Sequence, residues 1–443
     1  MAAHRKSITD FLAKATSPYH AVLEIKGELE RKGYIDGRKE ELSRGGKYFF
    51  ERNGTALIAV SIGGSCSSRA PARISAAHTD SPCLRVRYKS VRESEGLSQV
   101  LVEPYGGGIW HTWFDRDLSV AGKVVYEEGG RVGEELVDVS DPVLKVPTVA
   151  IHLSPGMYQK GAEFNKETNI VPIISSALSK EEETRRSPAC FKKHGLDKKH
   201  ASTLLGCIER KMEKKNVHVT GMDLSMYEAV PPCLIGAQRE FISSGRLDDL
   251  LMCFCMLEGF LDAGHREDTL SVACFFDNEE VGSQSYQGAS SSFLPDVLER
   301  VADDCGIKVD KEGSVFISAD NAHASHPNYV GLQEPNSAPL MNHGPVIKHK
   351  QTQQYCTNLR AACFVMCAMR KHGIPFQEFT TRSDSGCGST IGPILSSQLG
   401  IAGVDMGNPQ LGMHSVRETA GVDDVGHSAK FFRVFYEEEF LCD

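Results

Sequence analysis

No apolar run in this chain approaches the roughly 20 residues that cross a bilayer, so no membrane span is expected. The start lacks the uninterrupted hydrophobic stretch of a secretory signal, because Asp10 and Lys14 break it. Excess positive charge is missing as well: the net charge of -9 argues against generic nucleic-acid binding. Among the 14 cysteines there is no Cys-x-x-Cys pair, and Cys253, Cys255 and Cys274 fall inside apolar runs, where a thiol packs as a small hydrophobe. A reduced, cytoplasmic setting is therefore expected, in which the sequon at Asn53 has no consequence. Internal repeats are absent. So is a dinucleotide fingerprint, since Tyr105-Gly-Gly-Gly108 runs into Ile109-Trp110-His111 rather than a further spaced glycine.

What is present reads as a soluble globular protein, 41% hydrophobic and 24% charged, and 443 residues predict two domains. Ile8, Phe11 and Leu12 predict an amphipathic first helix. Leu250, Phe254, Leu257 and Leu261 recur at helical spacing after Asp248-Asp249, predicting a helix with one buried face and acids at its N-terminus. Two more helices are expected to end at Gly373 and Gly400. Alternating strands and helices predict a three-layer α/β/α catalytic domain with a mixed sheet, formed by residues 1–91 and 236–443. The turn-rich, β-like stretch 92–235 between them is expected to be an inserted dimerisation domain, with a strand from Val146 to His152. Within it, residues 180–216 carry eleven Lys/Arg against six Asp/Glu, the pattern of a solvated insertion.

The chemistry concentrates where apolar runs end. Ser271–Phe276 breaks into Asp277-Asn-Glu-Glu280, Arg73–Ala77 delivers His78, and Ser314–Ala319 delivers Asp320. Ligand sites in open α/β sheets lie beyond the carboxyl ends of the strands, and clustered carboxylates there need a cation. A two-metal hydrolytic site needs a bridging carboxylate, further N/O ligands and a base. His78, Asp248, Glu280, Asp320 and His414 are the candidate ligands and Glu279 the remaining base. Asp80, two residues after His78, is placed to hold the second imidazole nitrogen.

The motifs His78-Thr-Asp80, Arg246-Leu-Asp-Asp249, Asp277–Ser283, Ser318–His323 and Gln410–Ser415, in that order, resemble those of the aspartyl aminopeptidases. The resemblance runs from Phe11 to about Phe435 and includes Tyr105–Leu118. It implies a co-catalytic enzyme with two zinc ions per subunit, one position open to manganese or cobalt, that removes N-terminal Asp or Glu from peptides. His78 and Asp320 would hold one zinc, Glu280 and His414 the other, with Asp248 bridging through a residue whose following peptide bond is cis. It implies that Lys348, Tyr355 and His323 shape the pocket for the acidic side chain. His152 would reach in from a neighbouring subunit, in dimers assembled into a tetrahedral dodecamer. Asp249 departs from the asparagine expected in many relatives and adds a charge beside the bridge. Two other readings fit the same ligands: a two-zinc aminopeptidase or deacylase acting on neutral residues, and an idle metal-binding assembly. The second is disfavoured by Glu279, which has no ligand duty yet is present.

Overall fold

A computed structural model of the protein describes residues 2–154, 156, 161 and 163–439. The chain opens with α1 (Ala2–Lys14), α2 (Pro18–Arg31), β1 (Ile35–Asp36), β2 (Lys47–Arg52), β3 (Ala56–Ile62) and β4 (Arg69–His78). There follow β5 (Cys83–Ser94), β6 (Leu97–Tyr105), β7 (Leu118–Glu128), β8 (Arg131–Asp138), β9 (Ile173–Ser176), α3 (Lys180–Arg186), α4 (Ser202–Lys211) and β10 (His218–Glu228). The next elements are β11 (Cys233–Ile235), β12 (Phe241–Ser244), α5 (Leu247–Asp262), β13 (Leu270–Phe276), α6 (Phe293–Cys305), β14 (Lys308–Ala319) and β15 (Ala322–His323). The last are β16 (Val346–His349), α7 (Leu359–Lys371), β17 (Gln377–Thr380), α8 (Gly392–Leu399), β18 (Gly403–Gly407), β19 (Pro409–Leu411), β20 (Glu418–Gly421) and α9 (Val422–Glu437).

The chain divides into two compact units, one of residues 1–81, 232–413 and 418–443, the other of residues 82–231 and 414–417. These divisions, at Pro82 and Pro231, differ from the expected 92 and 235. The first falls earlier because β5 begins at Cys83 and pairs with β6, Cys83 opposite Tyr105.

In the first unit a nine-stranded mixed sheet runs β1-β2-β3-β13-β4-β14-β18-β16-β17, and a five-stranded sheet runs β11-β12-β20-β19-β15. Alternation along the strands assigns side chains to two cores. Leu57, Ala59, Ala273 and Phe275 pack with residues of α1, α2, α5, α7 and α9. Their neighbours Ile58, Val60, Val272 and Cys274 pack with α6 and α8 on the other face. This is the expected three-layer α/β/α arrangement. Glycines in the left-handed region close two helices where expected, Gly373 at φ 61° beyond α7 and Gly400 at φ 67° beyond α8.

Helix α5 differs from its expectation. Residues from Leu250 to Leu257 are all buried, so it is covered on every side rather than along one stripe. Its contact with α9 is close at Gly259, where a Cβ would come within 2.4 Å of Phe432 Cβ and 2.6 Å of the Ala429 carbonyl oxygen. Gly259→Ala is accordingly expected to lower stability by about 1–3 kcal/mol, read as a lower urea midpoint; an unchanged midpoint would show that the helices can part.

The second unit is built on one six-stranded sheet, β8-β7-β10-β5-β6-β9. The charged stretch 180–216 is not merely solvated. Phe191, Leu196, Leu204, Leu205, Ile208 and Met212 are buried in the core of this unit, leaving the lysines and arginines outside. Nor do residues 147–152 form a strand. Pro147 offers no amide donor, Thr148 N–H donates instead to Asp115 Oδ1 at 2.9 Å, and Ile151–Leu153 make an exposed turn.

Candidate metal centre

Three neighbouring strands build the site in the first unit. β13, β4 and β14 run parallel, with Phe276 opposite His78 and Ser318 opposite Ala76, so their carboxyl ends finish level. His78 ends β4, Asp320 follows β14, and Asp277–Glu280 follow β13. Above them the start of α5 brings Asp248 and Asp249, whose backbone angles are non-helical and whose connecting peptide bond is cis.

His78, Asp248, Asp249 and Asp320 each offer one ligand atom, all within 4.8 Å of one another, and all four residues are buried. His78, Glu279 and Glu280 form a second such group. His78 Nε2 lies 3.6 Å from Asp248 Oδ1 and 4.0 Å from Glu279 Oε2. One imidazole nitrogen among carboxylate oxygens is a donor set that suits zinc.

Asp80 faces the second imidazole nitrogen as expected and does more besides. Its carbonyl oxygen is the nearer partner of His78 Nδ1, at 3.0 Å, against 3.4 Å for its Oδ1. The Asp80 carboxylate also accepts the backbone N–H groups of Glu279 and Glu280, each at 3.1 Å. It therefore sets the turn that presents both glutamates, with Asn278 at φ 64° and Gly282 at φ 97° bounding it.

Electrostatics follow from burial. Desolvation lowers the His78 pKa, but Asp248 and Asp80 outweigh it and hold the imidazole well above its ordinary value. Burial pushes the Asp249 carboxyl well above the usual carboxylate range. Burial also raises Asp320, against the pull of Lys348. The Glu279 carboxyl is pushed up to about 8, chiefly by desolvation. Groups driven toward protonation by burial are those that a bound cation returns to the ionised state.

Lys348 is buried, its Nζ 3.4 Å from Asp320 Oδ1 and 5.3 Å from the centre of the Tyr355 ring. Burial depresses its pKa, but Asp320, Asp405, Asp248 and Asp249 together raise it, so it stays charged. Tyr355 and His323 both line a cavity of about 310 Å³, with Phe379, Arg382, Cys387 and Gln410. The loop carrying Tyr355 is fixed by Asp405, which accepts Cys356 N–H at 2.6 Å.

His152 and His414 belong to the second unit. His152 lies in the exposed turn. His414, at φ 67°, sits half-buried with Nδ1 3.1 Å from the Gly107 carbonyl oxygen, and its own carbonyl accepts Ile109 N–H at 2.8 Å. The triple glycine thus supports this histidine.

Three residues of the site were missed from sequence. Asn321 Nδ2 donates to Leu247 O at 2.6 Å, Ser81 Oγ donates to Asp248 O at 2.6 Å, and Glu418 Oε2 accepts Asp248 N–H at 3.2 Å. Asn321 and Ser81 each directly follow a singled-out acid, which was the available signal. Glu418 has no such marker.

The profile of the aminopeptidase I zinc metalloproteases (M18) matches residues 11–436. The chain is 39% identical to the aspartyl aminopeptidase of Dictyostelium discoideum, over 98% of this chain and 96% of that one. It is similar to the solved structure of the Ape4 and Nbr1 complex, with a TM-score of 0.91, 36% identity, and coverage of 98% and 85%. The Saccharomyces cerevisiae mApe1 dodecamer superposes with a TM-score of 0.83 at 26% identity, covering 98% and 97%.

Proposed function

Since the chain belongs to the aminopeptidase I zinc metalloproteases (M18), we infer that it is an aspartyl aminopeptidase, a zinc-dependent hydrolase. Near-full-length identity of 39% to an enzyme of that name, together with the buried His/Asp cluster at the sheet edge, carries this reading. The finer proposal is that it removes N-terminal Asp or Glu from peptides using two zinc ions per subunit. His78 and Asp320 would hold one, Glu280 and His414 the other, and Asp248 would bridge. Manganese or cobalt would substitute at one position. The buried donor set fits such a group.

Zinc, when bound, supplies a Lewis acid and lowers the pKa of bound water towards neutral. Glu279, held by the Asp80-clamped turn, takes the proton from the attacking water and returns it to the leaving amine. Tyr355 stays protonated because burial raises its hydroxyl, so it is able to donate to the developing oxyanion, with His323 as the other donor. Lys348 presents a fixed positive charge to the substrate's acidic side chain. His152, on an exposed apolar turn with Ile151 and Leu153, would be lent to a neighbouring subunit. Similarity to the mApe1 dodecamer supports a homo-oligomer, proposed as dimers in a tetrahedral dodecamer. Thirteen free thiols among the described residues support a reducing, cytoplasmic setting.

A panel of aminoacyl fluorogenic peptides tests the whole. Asp- and Glu-substrates are expected to be cleaved, a chelator to abolish this, and zinc to restore it. Preference for Leu- or Ala-substrates would establish the neutral-residue reading instead. His152→Phe is expected to cut turnover without lowering zinc content, and dissociated subunits to be folded but inactive. Full activity in a verified monomer would rule out the shared residue.

A further inference from the structure

Asp249 has no part in the site as proposed, yet its carboxylate is buried there with no exposed surface. Its Oδ2 accepts the His78 backbone N–H at 3.2 Å. Its Oδ1 is buried and has no hydrogen-bond partner among the described residues. One of its oxygens lies within 4.8 Å of a ligand atom on each of His78, Asp248 and Asp320. The preceding main chain is tied by Asn321, Ser81 and Glu418, so the carboxylate is held in place rather than free to turn towards solvent.

Charge decides what that oxygen is for. Ionised, Asp248, Asp249 and Asp320 carry three negative charges, and the Lys348 ammonium 3.4 Å from Asp320 offsets one. Two remain, matching one divalent cation. A neutral residue at 249 would leave one. Like charges this close repel unless a cation lies among them, and the repulsion is greatest where water is excluded.

We propose that Asp249 makes the position held by His78 and Asp320 the tighter of the two zinc positions, so that it fills first and empties last, while Glu280 and His414 hold the exchangeable ion. This rests on the two-zinc reading and specifies which ion is resident. Asp249 acts through charge and through its hold on the His78 amide, as a positioning residue.

Asp249→Asn keeps the shape and an oxygen for the His78 N–H and removes the charge. Both holoenzymes are dialysed against graded chelator, and zinc per chain is counted. The wild type is expected to release zinc in two steps. Asp249→Asn is expected to weaken the tighter step at least roughly ten-fold, leave the weaker step within about two-fold, and shrink the zinc-induced rise in Tm. An unchanged tighter step in the folded variant overturns the proposal. A crystal structure of the wild type carrying one zinc per chain gives an answer that does not depend on the variant folding. Zinc on His78 and Asp320 supports the assignment, and zinc on Glu280 and His414 overturns it. A wild type that takes up only one zinc at any concentration refutes the two-zinc reading, while the shift in Asp249→Asn still decides the role of Asp249.

Discussion

Glu279→Gln is expected to keep both zinc ions and lose turnover by about 10²–10⁴-fold, with little change in KM. An amide cannot accept the proton that the water must lose, but it fills the same space. The turn survives because Asp80 holds the backbone N–H groups of residues 279 and 280 rather than their side chains. Glu280→Gln is expected to lose metal instead. Elemental analysis separates the two: a missing zinc in Glu279→Gln would make Glu279 a ligand and leave the base unassigned.

Lys348→Leu is expected to lower kcat/KM for Asp- and Glu-peptides by roughly ten- to a hundred-fold while sparing cleavage of Ala- or Leu-peptides. A carboxylate entering a closed pocket loses its hydration, and a charge-assisted hydrogen bond restores about 1.5–3 kcal/mol. The position of Lys348 sharpens the test, because its Nζ already lies 3.4 Å from Asp320. Should acidic and neutral substrates fall together, with zinc content, Lys348 serves Asp320 and not the substrate. Unchanged preference would move acid recognition to a residue that lines the cavity, such as Arg382.

Much of the catalytic unit was legible because its signals are local. A seven-residue apolar strand followed by Asp-Asn-Glu-Glu is readable without knowing its neighbours, since backbone pairing demands apolar cover and carboxylates resist burial. The ends of α7 and α8 were legible for the same reason: glycine tolerates positive φ at a helix terminus. The one-sided reading of α5 failed because periodicity reports a stripe, and its remaining positions, Met252, Cys253, Cys255 and Met256, are apolar too. The expected strand at 146–152 failed because apolar composition says nothing of whether a partner strand is available.

By itself the sequence determined which residues could do chemistry: the acids and histidines that end the strands, and the spare glutamate beside a ligand. Tertiary structure decided how they are used. β13 lies beside β4 although nearly 200 residues separate them, and that pairing turns the Asp80 carboxylate towards the amides of Glu279 and Glu280. The return of β20 brings Glu418 to the Asp248 amide from 170 residues away. Burial of Lys348 against Asp320 makes its ammonium a fixed charge. Local pattern encodes backbone preference and the cost of burying charge. Partner choice depends on contacts between segments far apart in the chain, and those exist only once the sheet has formed.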